Sequence, residues 1–163
     1  MVCIMNEALE LQVGQKVLEV GAGTGYHAST IAEIVAPPAQ PKDKWGHVWA
    51  VEIIPQLAVV ARRNVEGLSY GERVTVVQGD GSTGLPEHAP YDRILVTASA
   101  PEVPEPLTQQ LKREGVLLVP VGDFRLFQEL LRLRKARNGS LSSEYLGGVA
   151  FVPLRGKLGW RNL

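Results

Sequence analysis

The chain has 163 residues, 45% hydrophobic and 21% charged, with 17 basic and 17 acidic side chains and a pI near 6.8. This suits one globular domain over residues 1–163 with a buried core, and zero net charge argues against a broad face for nucleic acid. The one cysteine, Cys3, excludes an internal disulfide, suits the cytoplasm, and is expected to be buried as a small apolar side chain; no apolar run approaches the ~20 residues of a membrane span.

In chain order, residues 1–11 read as a helix and residues 16–20 as an apolar strand running straight into Gly21-Ala22-Gly23-Thr24-Gly25. Residues 26–35 follow as a helix, with Ile31, Ile34 and Val35 near the 3.6 period. The proline-rich polar stretch 36–44 is expected to be a surface insertion. A second strand spans 47–52, then a helix spans 55–67 with proline in its first turn and glycine at its end. A third strand, 73–78, ends at Gly79-Asp80-Gly81. A fourth is expected at 91–97, a helix at 106–113 and a fifth strand at 115–121.

This alternation predicts a doubly wound α/β layer. The end of the chain differs. Strands at 127–136 and 143–152 flank a turn containing Asn138-Gly139-Ser140, with no long helix between them, and predict an antiparallel meander. The link 122–125 is too short to pass over an intervening strand, so the sixth strand is expected beside the fifth and the seventh beside the sixth. The basic run Arg132, Arg134, Lys135 and Arg137 alternates with Leu131 and Leu133 and reads as a solvated strand face. Repeats, metal-spaced Cys/His clusters and a Ser-His-Asp signature are absent from the sequence.

The glycine turn opens a helix whose first amides are unpaired, and glycine lets a ligand approach bare backbone there. A dinucleotide fingerprint would carry its third glycine at position 26, where this chain has Tyr26; its third glycine is Gly25. With Glu19 just before the turn, the pattern suits a ligand that has no pyrophosphate and carries an ammonium group, such as S-adenosylmethionine. Glu52 can accept both hydroxyls of a ribose, or can pair with Arg62 on the surface. Asp80 can accept from an adenine amine beside Gly81, or can simply start a turn. His27, in the first turn of the glycine-loop helix, has a structural reading and a ligand-touching one, and the structural one is favoured.

The segments KVLEVGAGTGYHAS from Lys16, the strand ending at Glu52, GDGSTGLPEHAPYDRILVTASAPEVPEPL from Gly79 and FVPLRGKLGW from Phe151 together resemble the protein-L-isoaspartate O-methyltransferases. These repair enzymes methylate isoaspartyl carboxylates in damaged proteins. The resemblance implies a Rossmann-like methyltransferase fold, with a seven-stranded, mostly parallel sheet that has an antiparallel end. It implies S-adenosylmethionine as cofactor and S-adenosylhomocysteine as product. Glu19, Gly21, Ala22, Gly23, Thr24 and Gly25 would surround the methionyl part, Glu52 and Ile53 the ribose, and Asp80 and Gly81 the adenine, with Thr97 alongside. Ala98, Ser99 and Pro101, with Val152, Pro153 and Leu154, would line the isoaspartyl peptide site. No metal, nucleic acid or membrane is implied, and the state is a monomer or a weak self-association.

The resemblance also implies a Thr/Ser-Ile-Ser-x-Pro-His motif before the first helix, carrying the active-site hydroxyl. This chain starts at the methionine that would follow it, so impaired catalysis is expected, along with an open cleft and exposed apolar surface around Val2, Met5 and Leu9. Two alternatives stand beside this reading: another S-adenosylmethionine-dependent methyltransferase acting on RNA or a small molecule, and a non-catalytic cofactor-binding paralogue. Thr97-Ala98-Ser99-Ala100 stands where an amino-group methyltransferase of nucleobases would carry Asn/Asp-Pro-Pro-aromatic.

Overall fold

The computed structural model describes residues 1–161. Its centre is a seven-stranded sheet in the order β3-β2-β1-β4-β5-β6-β7, made of β1 (Lys16–Val20), β2 (His47–Glu52), β3 (Val74–Gln78), β4 (Tyr91–Val96), β5 (Leu111–Val121), β6 (Gln128–Lys135) and β7 (Leu141–Val149). The five strands from β3 to β5 are parallel, and β6 and β7 run antiparallel to their neighbours, as the short link after β5 requires. The order in which strands are added reverses between β1 and β4. In such sheets ligands bind outside the carboxyl ends of the strands at that point.

Alternation along the strands divides the core into two layers. Val17, Val48, Ala50, Leu95 and Leu118 face α1 (Val2–Ala8), α2 (Tyr26–Val35) and α3 (Pro55–Gly67), where Met5, Leu9, Ile31 and Val65 meet them. Leu18, Val20, Ile94, Val96 and Leu117 face the other way, against Leu107 of α4 (Glu105–Gln110) and Leu154 of the C-terminal segment. The strands are buried on both sides, which is why they read as continuous apolar runs.

Several elements depart from expectation. The helix expected at 106–113 ends at Gln110, and β5 begins four residues early: Leu111 is extended and pairs with Tyr91, while Glu114 takes a positive φ of 64° where the register shifts. The charged run Lys112-Arg113-Glu114, which read as a helix end, is this irregular start of the strand. β7 spans 141–149 rather than 143–152, because the Asn138 side chain accepts from Ser140 N (3.0 Å) and Oγ (2.8 Å) and closes a tight turn at once.

α1 stops at Ala8 and buries Met5 and Leu9, so its exposed apolar residues are Met1 and Ile4, not the predicted Met5 and Leu9. Cys3 is exposed, contrary to expectation, because it points away from the face that carries Met5. The basic run is also less solvated than it read. Arg132 bonds Glu144 and the Ala8 carbonyl, Arg134 pairs with Glu10, and Lys135 Nζ donates to the carbonyls of Thr108 and Leu111, both at 2.8 Å. Arg93 donates to the carbonyls of Leu9 and Glu10, so two guanidinium groups meet the carbonyl end of α1, where the helix dipole favours cations.

α1 is tied to α2 through a hydrogen bond between His27 Nε2 and Asn6 Oδ1 (2.9 Å). Burial pushes the His27 pKa down from its usual 6.5 to about 4. Between those values the unfolded chain binds a proton that the folded one refuses, so stability is full above pH 6.5 and falls as pH drops toward 4. His27→Gln is expected to match the parent at pH 7.5 and to exceed it by about 2 kcal/mol near pH 4.5. Denaturant titrations at the two pH values measure this, and an equal loss in both proteins would count against it.

Candidate functional site

The three glycines after β1 are needed for three different reasons. Gly21 has φ 102°, and a methyl group there would overlap the Thr97 hydroxyl, which donates to the carbonyls of Gly21 (2.7 Å) and Val20 (3.1 Å). Gly25 caps α2 in the left-handed region and packs against Ala61 and Val65 of α3. Gly23, with φ 55°, has nothing near the place of a side chain, and its N–H donates to Glu52 Oε2 at 2.8 Å.

Glu52 ends β2 and is 5% exposed. Its Oε1 accepts from Ile54 N (2.9 Å), while Arg62 donates its Nε–H to the Val76 carbonyl. The surface ion pair is therefore not formed, and the carboxylate is fixed by two backbone amides with acceptor capacity to spare. Glu19 lies on the same sheet face, one strand over. Among the described residues its Oε2 is the one buried side-chain oxygen or nitrogen without a hydrogen-bond partner. Burial, and after it the neighbouring Glu52, hold its pKa well above the usual carboxylic range, with only the Ala28 backbone opposing them.

Above these groups is a cavity of about 520 Å³. Of the residues expected at the site, Gly21, Gly23, Glu52, Ile53, Gly81, Thr97, Ala98, Val152, Pro153 and Leu154 line it. The others sit around it. Glu19 is buried below the glycine turn, Ala22 gives its N–H to the Val51 carbonyl, and Thr24 is exposed and accepts from Asn64. Ser99 is fully buried behind the wall, and its N–H and carbonyl bond Val152 and Leu154. Pro101 lines a separate hollow with Phe124, Arg125 and Trp160. Asp80 stands at the rim, but its carboxylate bonds Ser82 and the Lys157 amide.

The sequence reading missed Ile54, Leu57 and Arg155, which also line the cavity. An apolar pair directly after a strand-ending acid was the available signal for Ile54; Arg155 carries none. His47 bonds Thr75, His88 stacks on Trp49, and neither reaches the cavity. No group of three or more potential metal ligands occurs among the described residues. A fixed carboxylate among apolar walls, with a second carboxyl group whose Oε2 is unpartnered beneath an open glycine turn, suits a ligand with vicinal hydroxyls and a cationic group.

Residues 1–159 match the family model described as protein-L-isoaspartate(D-aspartate) O-methyltransferase. The chain belongs to this family. A Hyperthermus butylicus protein-L-isoaspartate O-methyltransferase is 53% identical over 161 residues, covering 99% of this chain and 66% of the relative. A solved protein-L-isoaspartate O-methyltransferase superposes with a TM-score of 0.85 at 36% identity, covering 97% of this chain and 47% of that one. A Plasmodium falciparum β-aspartate methyltransferase, solved with S-adenosyl-L-homocysteine, shares the fold at a TM-score of 0.77 and 23% identity, covering 94% of this chain and 71% of that one. The chain thus spans about two thirds of its curated relative, and this protein-L-isoaspartate O-methyltransferase family member carries the cavity within that part.

The buried Glu19 has a consequence for the ligand-free protein. Its folded pKa lies above the unfolded one, so the stability it lends is complete below the unfolded pKa and is lost as pH rises through the folded value. Glu19→Gln is therefore expected to be more stable than the parent at pH 8, by roughly 1–3 kcal/mol, with the gap closing toward pH 4. Thermal melts across that range test it; a gap that widens on acidification would be the wrong sign.

Proposed function

We propose that this chain transfers a methyl group from S-adenosylmethionine to the carboxylate of isoaspartyl residues in peptides and damaged proteins, in the cytoplasm. Family membership supports the reading, and the observation that carries it is the Glu52 carboxylate. Two amides fix it at the cavity edge beside an unobstructed Gly23, a geometry that accepts both hydroxyls of a ribose. Ile53, Ile54 and Leu57 add an apolar surface for the rest of the nucleoside, and Gly81, just past the end of the neighbouring β3 and close against Val20, completes it. Glu19 matches the ammonium of the methionyl part: its orphan oxygen is satisfied and its charge offset once a cation is near.

When bound, the cofactor supplies an electrophilic methyl group on a sulfonium. The acceptor carboxylate is ionised near neutral pH and needs no general base, so the protein's work is positioning and the exclusion of water. Thr97 fixes the floor by bonding Gly21 and Val20. Ala98 and the Val152–Leu154 stretch, bonded to each other through Ser99, give a largely apolar wall along which an extended peptide can lie.

Calorimetry with S-adenosylhomocysteine tests the cofactor assignment, and labelled methyl transfer to an isoaspartyl peptide, with its aspartyl isomer as control, tests the reaction. Glu52→Ala is expected to weaken binding by about 1–3 kcal/mol. No binding by the parent at millimolar ligand would overturn the cofactor reading. Equal methylation of both peptide isomers would overturn the substrate.

A further inference from the structure

The charged side chains that line the cavity are Glu52 and Arg155. Glu52 is held by the amides of Gly23 and Ile54, whereas Arg155 is exposed. Lys42, Arg73, Lys112, Arg132, Arg134 and Arg137 are each paired with a carboxylate. Arg155 has no such partner among the described residues, and its guanidinium makes no hydrogen bond there and covers no aromatic ring.

The backbone beneath it is nevertheless fixed. Leu154 N–H donates to the Ser99 carbonyl (2.9 Å), and the Trp160 indole reaches the same carbonyl (2.8 Å). Trp160 N–H closes onto the Leu154 carbonyl (2.9 Å), and Lys157 N–H donates to Asp80 Oδ2 (2.7 Å). Residues 154–160 thus form a strap tied on both sides of Arg155, with one free cation anchored at the cavity edge.

Neighbouring cations are placed differently. Lys157 lines a hollow that also holds Glu102 and Glu105, and Arg125 and Arg161 line another that holds Asp123. In the cavity of Arg155 the acid is Glu52, which two amides hold and which the reading above gives to the ribose. The donor brings a sulfonium and an ammonium, both repelled by a guanidinium. Its own carboxylate is joined to the carbon that bears the ammonium, so the match to Glu19 draws it toward the glycine turn. Arg155 directly continues Val152-Pro153-Leu154, the wall assigned to the peptide.

We propose that Arg155 is a specificity-determining residue that binds an acidic side chain close to the isoaspartyl residue, so that this chain prefers isoaspartyl sites with an acidic neighbour. This rests on the methyl-transfer reading and names the substrate class within it. A planar guanidinium on a fixed backbone suits a carboxylate, and the apolar wall beside it lowers the screening such a pair meets in open solvent. The neighbour is expected within two residues of the isoaspartate, about 7 Å of extended chain.

Isoaspartyl peptides that differ only in Glu, Gln or Lys at one such position test this. Methylation kinetics give KM, and anisotropy of labelled peptides with saturating S-adenosylhomocysteine gives affinity. For at least one position, the Glu peptide is expected to show a KM and a Kd about fivefold below those of the Gln peptide, with the gap narrowing in high salt. Arg155→Gln should erase the gap, Arg155→Lys should keep part of it, and Arg155→Glu should turn the preference toward the Lys peptide. Calorimetry should find S-adenosylhomocysteine bound equally well by the parent and Arg155→Gln. Equal KM and Kd for Glu and Gln peptides at every position would overturn the proposal, as would a preference that survives Arg155→Gln. Loss of S-adenosylhomocysteine affinity in Arg155→Gln would also overturn it, by giving Arg155 to the donor's carboxylate. Methylation of both peptides without preference overturns this inference alone; a parent that neither binds nor methylates any of them fails the methyl-transfer reading as well.

Discussion

The bond from the Thr97 hydroxyl to the Gly21 carbonyl joins the ends of β1 and β4, the two parallel strands between which the strand order reverses. Everything at the site refers back to this joint. It sets the height of the glycine turn and forbids a side chain at position 21. The turn leaves the Gly23 amide within reach of Glu52, and Glu52, through Ile54, fixes the entry to α3. Hydroxyl, carbonyl, amide and carboxylate form a short relay across β4, β1 and β2, so the floor of the cavity is largely built before any ligand arrives.

The electrostatics of that floor are less comfortable than its hydrogen bonding. Glu19 and Glu52 share one face of the sheet, and burial makes a second negative charge expensive. Such strain is common where a protein is arranged for a charge it does not itself contain. The remainder of the fold is correspondingly well satisfied. Arginines 93 and 132 meet the carbonyl end of α1, and buried Gln128 holds the β5–β6 turn through the carbonyls of Asp123 and Leu126.

Much of this was legible in the residues. The strands β1 and β2 and the helices α2 and α3 were bounded correctly because each begins or ends at a glycine, proline or acid whose backbone role is local. The places of β6 and β7 followed from the brevity of the links before them. What escaped was decided by contacts between distant segments. Lys112-Arg113-Glu114 has the look of a helix end until Leu111 is seen paired with Tyr91, and the depth of Met5 depends on which face of α1 meets the sheet. At the site, Glu19, Gly23 and Glu52 announced themselves at strand ends. Asp80 did so too, but one of its partners, the Lys157 amide, lies 77 residues along the chain, and no local pattern reveals that bond.

The path of the last segment also bears on how this molecule comes into being. Residues through Val96 supply β1 to β4, while one wall of the cavity comes from residues near 155, bonded back to positions near 80 and 99. On a ribosome, the floor of the cavity can form while the chain is still being made, whereas the wall cannot close until residues 154–160 have emerged from the exit tunnel. Ligand competence therefore comes later than the sheet, and a chain lacking residues 154–160 would keep its strands but lose the enclosure.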